Sequence, residues 1–71
     1  MNLKDALPGK QYLIESINTG DAELEAFLFS LGCYTGEEIM LISVGRHGCV
    51  VGIKDGRYSI DNALSKAIQI Q

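Results

Sequence analysis

Apolar residues at Leu24, Phe27, Leu28 and Leu31 fall at i, i+3, i+4 and i+7, which places them on one face of an α-helix. The opposite face carries Glu23, Glu25 and Ser30. Asp21 stands where a side-chain oxygen can accept from first-turn N–H groups. Gly32 follows the last apolar residue, where a left-handed conformation ends a helix, and Gly36 closes a short exit loop. Residues 21–36 are therefore predicted to form an amphipathic helix and its exit, against which the rest of the chain packs.

Other segments alternate with a shorter period. Asn2 is placed to cap one helical turn holding Leu3, Ala6 and Leu7, and Pro8-Gly9 reads as a turn. Residues 11–18 form a first predicted strand with Tyr12, Ile14 and Ile17 inward; the alternation breaks near Ser16, which predicts a bulge or a bend. Residues 38–44 and 49–53 are apolar, β-branched runs on either side of the loop Gly45-Arg46-His47-Gly48. Gly52 marks a bulge or a close backbone approach. Asp55-Gly56 signals a type I′ hairpin turn into a fourth strand at 57–60. Asp61 can cap a helical turn over 62–66, and 67–71 ends the chain as a strand with Ile68 and Ile70 inward. At this size five short strands bury their apolar faces best by curling into a small barrel, one open end of which the helix plugs. The expected inward ring is Tyr12, Ile14, Ile17, Met40, Ile42, Val44, Val50, Tyr58, Ile60, Ile68 and Ile70, covered by the 24–27–28–31 helix face.

Composition narrows the function classes. A chain of 71 residues is one domain, 1–71, with no room for separate catalytic and binding units. The net charge of −3 repels a phosphate backbone, so nucleic acid is not an expected partner. No apolar run approaches the roughly 20 residues that span a bilayer, so direct membrane insertion is not expected. The start MNLKDALPG is not a secretory signal, which gives a cytoplasmic expectation with Cys33 and Cys49 as reduced thiols.

The pattern of glycines and apolar positions resembles the FeoA family. The resemblance runs over nearly the whole chain. It consists of a Leu-rich turn before Gly (Leu3, Leu7, Gly9) and paired Ile in the first strand (Ile14, Ile17). A helix closed by Leu-Gly with a later Gly before an acid follows (Leu31, Gly32, Gly36, Glu37), and the end carries Ala67, Ile68 and Ile70. Two features depart from the family pattern. Glu23, Glu25 and Phe29 stand on a helix that commonly carries basic residues, and Cys33 stands where an aliphatic residue usually follows Leu-Gly. The resemblance implies an SH3-like barrel, a module also found at the C-terminus of DtxR-type repressors. It further implies a small cytoplasmic accessory protein of ferrous iron uptake that binds and modulates the GTPase-containing cytoplasmic part of an FeoB-type membrane transporter, with no catalysis of its own. The alternative it implies is a metal-binding or metal-sensing regulatory module. No cofactor is required by the first reading; a divalent transition metal, Fe²⁺ or Zn²⁺, belongs to the second.

The chemistry-bearing residues are few. His47 and Cys49 form H-x-C at the end of a hairpin, with Cys33 in the loop after the helix, and these residue types suit soft or borderline divalent metals. The competing reading is an exposed hairpin histidine and two thiols packed as small apolar groups. Cys49 with His47 has no orienting third residue nearby, so an enzyme is not expected. Gly45, Gly48, Gly52 and Gly56 are spaced as hairpin turns and not as a phosphate loop. Glu23, Glu25, Glu37 and Glu38 are either a solvated acidic face or a patch for a basic partner or a hard cation. Phe29 lies off the apolar stripe and with Tyr34 forms either an exposed interaction patch or a flank of the core. The expected partner-binding face combines Phe29, Cys33 and Tyr34 at the helix exit with Arg46 and His47 at the hairpin tip.

Overall fold

Asn2 opens the chain with a reciprocal cap. Its Oδ1 accepts from the Lys4 amide at 2.8 Å, and the Asp5 carboxylate accepts from the Asn2 amide at 3.1 Å. This starts a 3₁₀ turn over Leu3–Asp5 that buries Leu3 and, just beyond it, Ala6. Pro8-Gly9 then turns the chain, Gly9 sitting at φ 83°, where a β-carbon would be strained. The Tyr12 hydroxyl accepts from the Leu7 amide at 2.9 Å and ties this turn to the first strand.

The computed structural model describes all 71 residues. After the 3₁₀ turn come β1 (Gln11–Ile17), α1 (Ala22–Ser30), β2 (Glu38–Val44), β3 (Gly48–Ile53), β4 (Gly56–Asp61), α2 (Asn62–Ala67) and β5 (Ile68–Ile70). The five strands are antiparallel in the order β4-β3-β2-β1-β5. β1 serves both halves of the sheet: Gln11–Leu13 pair with β2, and Ile14–Ile17 pair with β5, with a register shift between Ile14 and Ser16. That shift is the bend expected near Ser16. It curls the sheet into a partly open barrel. At one open edge the Ile70 amide donates to the Met1 carbonyl at 2.8 Å and Asn2 bridges Gln69, so the N-terminus covers β5. At the other edge no strand or terminal segment pairs with β4.

The core combines Leu3, Tyr12, Ile14, Ile39, Leu41, Val51, Ile53, Ile68 and Ile70 with Leu28 of α1 and both cysteines. The expected inward residues of β1 and β5 are in place, Ile17 being half-buried. In β2 and β3 the faces are exchanged relative to expectation. Ile39 and Leu41 point in, Met40 and Ile42 are half-buried on the other face, and Val44 is exposed; in β3, Cys49, Val51 and Ile53 are buried and Val50 is not. A strand in which every residue from 39 to 42 is apolar carries no phase of its own, so register decides which face is buried. A bulge between Leu41 and Ser43 sets that register, with the Ile42 side chain lying across Gly52. The close approach expected at Gly52 is therefore real, but the bulge belongs to β2.

Two further expectations are corrected. The β3–β4 turn is formed by Lys54-Asp55, with Gly56 already paired to Ile53, so the turn lies one residue earlier than the Asp-Gly signal places it. Lys54, not glycine, takes the positive φ of 54°. The apolar face of α1 is also only partly a lid: Leu28 is buried, Leu24 and Leu31 are half-buried, and Phe27 is 58% exposed.

Candidate functional site

The exit of α1 is built by local hydrogen bonding. Asp21 caps the start, its Oδ1 accepting from Glu23 and Leu24 at 3.1 Å each. At the other end the Cys33 amide donates to the Leu28 carbonyl at 2.9 Å and the Gly32 amide to the Phe29 carbonyl at 3.0 Å. With Gly32 at φ 93° this is a Schellman closure. Such a closure places an apolar residue just past the glycine against the third residue from the helix end. Here those two are Cys33 and Leu28, both buried in one core. The 1% exposed Cys33 therefore fills an apolar position, and burial pushes its thiol up to about 11. It offers neither a thiolate nor a surface contact at neutral pH.

Above this closure sits an exposed patch. The rings of Phe29 and Tyr34 lie 4.6 Å apart at 32°, and Phe29 is 62% exposed. The Lys54 ammonium pairs with the Glu37 carboxylate, Nζ to Oε2, at 3.1 Å. The aliphatic stem of Lys54 runs over Gly32, 2.9 Å from where a β-carbon would stand. The Glu37 carboxylate holds Tyr34 above the usual phenol range, while Lys54, and then Tyr34, hold Glu37 below the usual carboxylate range. Glu37 in turn holds Lys54 above the usual lysine range. Phe29, Tyr34, Glu37 and Lys54 form one continuous aromatic and charged surface.

Arg46 and His47 do not join it. Their loop is at the opposite end of β3 from Lys54, roughly 17–20 Å away for a strand of this length. Asn62 fastens that loop to the start of α2: its amide donates to the His47 carbonyl at 3.0 Å and its Nδ2 to the Arg46 carbonyl at 3.0 Å. Lys4 Nζ donates to Asn62 Oδ1 at 2.9 Å and adds the N-terminal turn. The expected five-residue face therefore separates into Phe29 and Tyr34 on the surface, Cys33 beneath them, and Arg46 and His47 at the far end of the barrel. The metal set Cys33, His47 and Cys49 is likewise not assembled: no three His, Cys, Asp or Glu side chains are grouped to hold an ion. Cys49 is buried with its Sγ 3.3 Å from Ser65 Oγ. The Ser65 hydroxyl donates to the Asp61 carbonyl at 2.9 Å, so the thiol is the donor to Ser65. The four acids are also dispersed. Glu25 accepts from the Thr19 hydroxyl at 2.7 Å and the Thr19 amide at 3.2 Å, Glu37 pairs with Lys54, and Glu23 and Glu38 stand in solvent.

A second surface feature is a groove of about 660 Å³ between α1 and the β4–α2 corner, walled by Leu24, Phe27, Leu28 and Leu31 on one side and by Tyr58, Ile60, Leu64 and Ala67 on the other.

The FeoA domain model matches residues 1–71. The chain belongs to the FeoA domain family. Solved structures share the fold. A crystal structure of an iron uptake regulatory protein, FeoA, is 19% identical with a TM-score of 0.86, over 100% of this chain and 95% of that one. The solution structure of iron(II) transport protein A from Clostridium thermocellum is 23% identical with a TM-score of 0.87; this chain spans 44% of its length. A Stenotrophomonas maltophilia FeoA in complex with zinc, described as a prokaryotic SH3 domain protein and a candidate activating factor of ferrous iron transport, is 20% identical with a TM-score of 0.84, over 100% of this chain and 89% of that one. No curated protein sequence matches the chain. The FeoA-type barrel is thus SH3-like, mainly β, with one main helix. No helix in it is long and apolar enough to cross a membrane.

Within this FeoA domain, sequence reading found the aromatic half of the helix-exit patch and missed its charged half. Glu37 and Lys54 are 17 positions apart, and nothing local couples them. Only the two-residue turn at Lys54-Asp55 brings the lysine over Gly32.

Proposed function

We propose that this FeoA-domain chain is an accessory protein of ferrous iron uptake that docks on the cytoplasmic, GTPase-bearing part of an FeoB-type transporter and modulates it, with no turnover of its own. The observation that carries the reading is the exposed Phe29–Tyr34 stack beside the Glu37–Lys54 pair. Aromatic anchors rimmed by charge are what protein interfaces concentrate at their centres. The patch rests on a helix end held by the Schellman closure, so little ordering cost opposes docking. Titration of the ¹⁵N-labelled chain with the soluble cytoplasmic domain of such a transporter tests it. Resonances of residues 29–37 and Lys54 shift, and Phe29→Ala weakens binding by about tenfold or more, the usual loss for a buried anchor. Unmoved resonances at high micromolar partner would end the proposal.

A second reading, a transition-metal-binding or metal-sensing module, draws support from the zinc-bound Stenotrophomonas neighbour. The donors here do not fit a site within one chain, because Cys33 and Cys49 are buried and His47 stands alone on its loop. Anaerobic titration with Fe²⁺, Co²⁺ or Zn²⁺ decides it. Shifts confined to His47, Cys33 and Cys49 and lost in Cys49→Ser would favour this reading over docking.

A further inference from the structure

The sheet has two edges and only one is covered. Met1 and Asn2 bond along β5, whereas β4 has β3 on one side and the groove on the other. Five consecutive β4 residues, Arg57 to Asp61, line that groove, so it runs along the strand's edge and not only over one face. Ile53 and Gly56 close the two-residue turn as a hydrogen-bonded pair, and bonded pairs alternate along an antiparallel ladder. Gly56, Tyr58 and Ile60 therefore direct their backbone groups to β3. Arg57 and Ser59 direct theirs off the open edge, and Asp61 directs its amide there. As the N-cap of α2, Asp61 turns its carbonyl into that helix, where it also accepts from the Ser65 hydroxyl at 2.9 Å, so Asp61 offers the edge its amide alone. An exposed row of this kind is a template for another strand.

We propose that the occupant is a second copy of this chain, its β4 pairing antiparallel to this one about a two-fold axis at Ser59. The side chains specify that occupant. In this register Arg57 lies opposite Asp61 of the second copy, Ser59 opposite Ser59, and Asp61 opposite Arg57. The central Ser59 pair exchanges two backbone bonds, and each Asp61 amide donates to the Arg57 carbonyl of the other copy, which matches the groups that face outward. Arg57 is exposed and has no ion-pair partner in its own chain. On the inner face Tyr58 lies opposite Ile60 of the second copy, an aromatic–β-branched pair of the kind that stabilises neighbouring strands. Both are only half-buried within one chain. The Phe27 ring, 58% exposed on the facing wall, covers the incoming strand. An unrelated strand would meet one positive and one negative charge four residues apart. The second copy presents the same two in reverse order, as an isologous interface requires. The proposal is independent of transporter docking, which uses the Phe29–Tyr34 surface.

Sedimentation velocity over a concentration series tests it, with charge exchange as the specific arm. The wild-type chain forms a dimer. Arg57→Asp sets a second carboxylate opposite Asp61 at two symmetric contacts and weakens the dimer by about tenfold, and Asp61→Arg does the same with two arginine pairs. Mixing the two variants restores association as a heterodimer. Because Asp61 also caps α2, Ser59→Pro provides a check that leaves the cap intact. It deletes an outward amide and no bond to β3, so the amide spectrum stays folded and the dimer is lost. A wild-type chain that stays monomeric at millimolar concentration would overturn the proposal. So would a dimer indifferent to Arg57→Asp and Ser59→Pro, or β4 resonances that move only when a transporter domain is added.

Discussion

Cys33 shows how one side chain can look like chemistry and act as packing. Its amide completes the helix closure and its thiol lies against Leu28 in the core. Burial favours the neutral thiol and lifts it from an ordinary 9.0 to about 11. The folded state therefore holds its proton where the unfolded chain has released it. This contribution to stability is complete below pH 9 and is lost as pH rises towards 11. Two pKa units correspond to roughly 2–3 kcal/mol. Denaturant unfolding at neutral and alkaline pH is expected to show the wild type losing that much more than Cys33→Val, a swap of similar volume that removes the ionisation. Parallel stability–pH profiles would count against it. The exposed Glu37–Lys54 pair shifts in the opposite sense for its acid: its help is present at neutral pH and disappears as Glu37 protonates. Exposure keeps that help small.

The separable element is α1. It touches the barrel through Leu28 and, in part, Leu24 and Leu31, while Phe27 and Phe29 stay in solvent. Its own ends therefore carry much of its stability: Asp21 at the start and Gly32 at the close. Asp21→Ala is expected to cost about 1 kcal/mol. The loss falls on local opening, so amide exchange speeds up in residues 23–31 while Leu41 and Val51 keep their protection. Equal loss of protection in the strands would show instead that helix and barrel open together. The same independence explains why the helix was legible in sequence. Its stripe, cap and terminal glycine are all local signals, whereas how much of the stripe is covered depends on β4 and α2, which come later in the chain.

For the whole molecule the decisive fact is which face of β2 and β3 is inside. Leu41 is fully buried, and Leu41→Ala is expected to cost about 2–5 kcal/mol. In a domain of this size that is a large share of the total. Met40→Ala, on the half-buried face, is expected to cost markedly less in the same urea titration. The reverse order would restore the face assignment read from sequence. The barrel also separates what the sequence places near together. Arg46 and His47 are only one short strand from Lys54 in sequence, yet that strand, β3, holds them at the opposite end from it. The candidate docking patch and the hairpin loop are therefore different surfaces, and the open β4 edge is a third.

The sequence by itself determined the elements of this protein and their order. Caps at Asn2, Asp21 and Asp61, the turn at Pro8-Gly9, the bend at Ser16 and the Leu-Gly helix closure are all written in residues a few positions apart, because hydrogen bonds to the nearby backbone are local. Its glycine and apolar pattern also carried the FeoA resemblance. Only the tertiary structure decided the rest. The apolar run 39–42 of β2 and its neighbour β3 have no intrinsic phase until a bulge and a two-residue turn fix their register. That same register put Lys54 over Gly32 and turned Cys49 inward, while the helix closure buried Cys33 and the strand order left β4 as the uncovered edge.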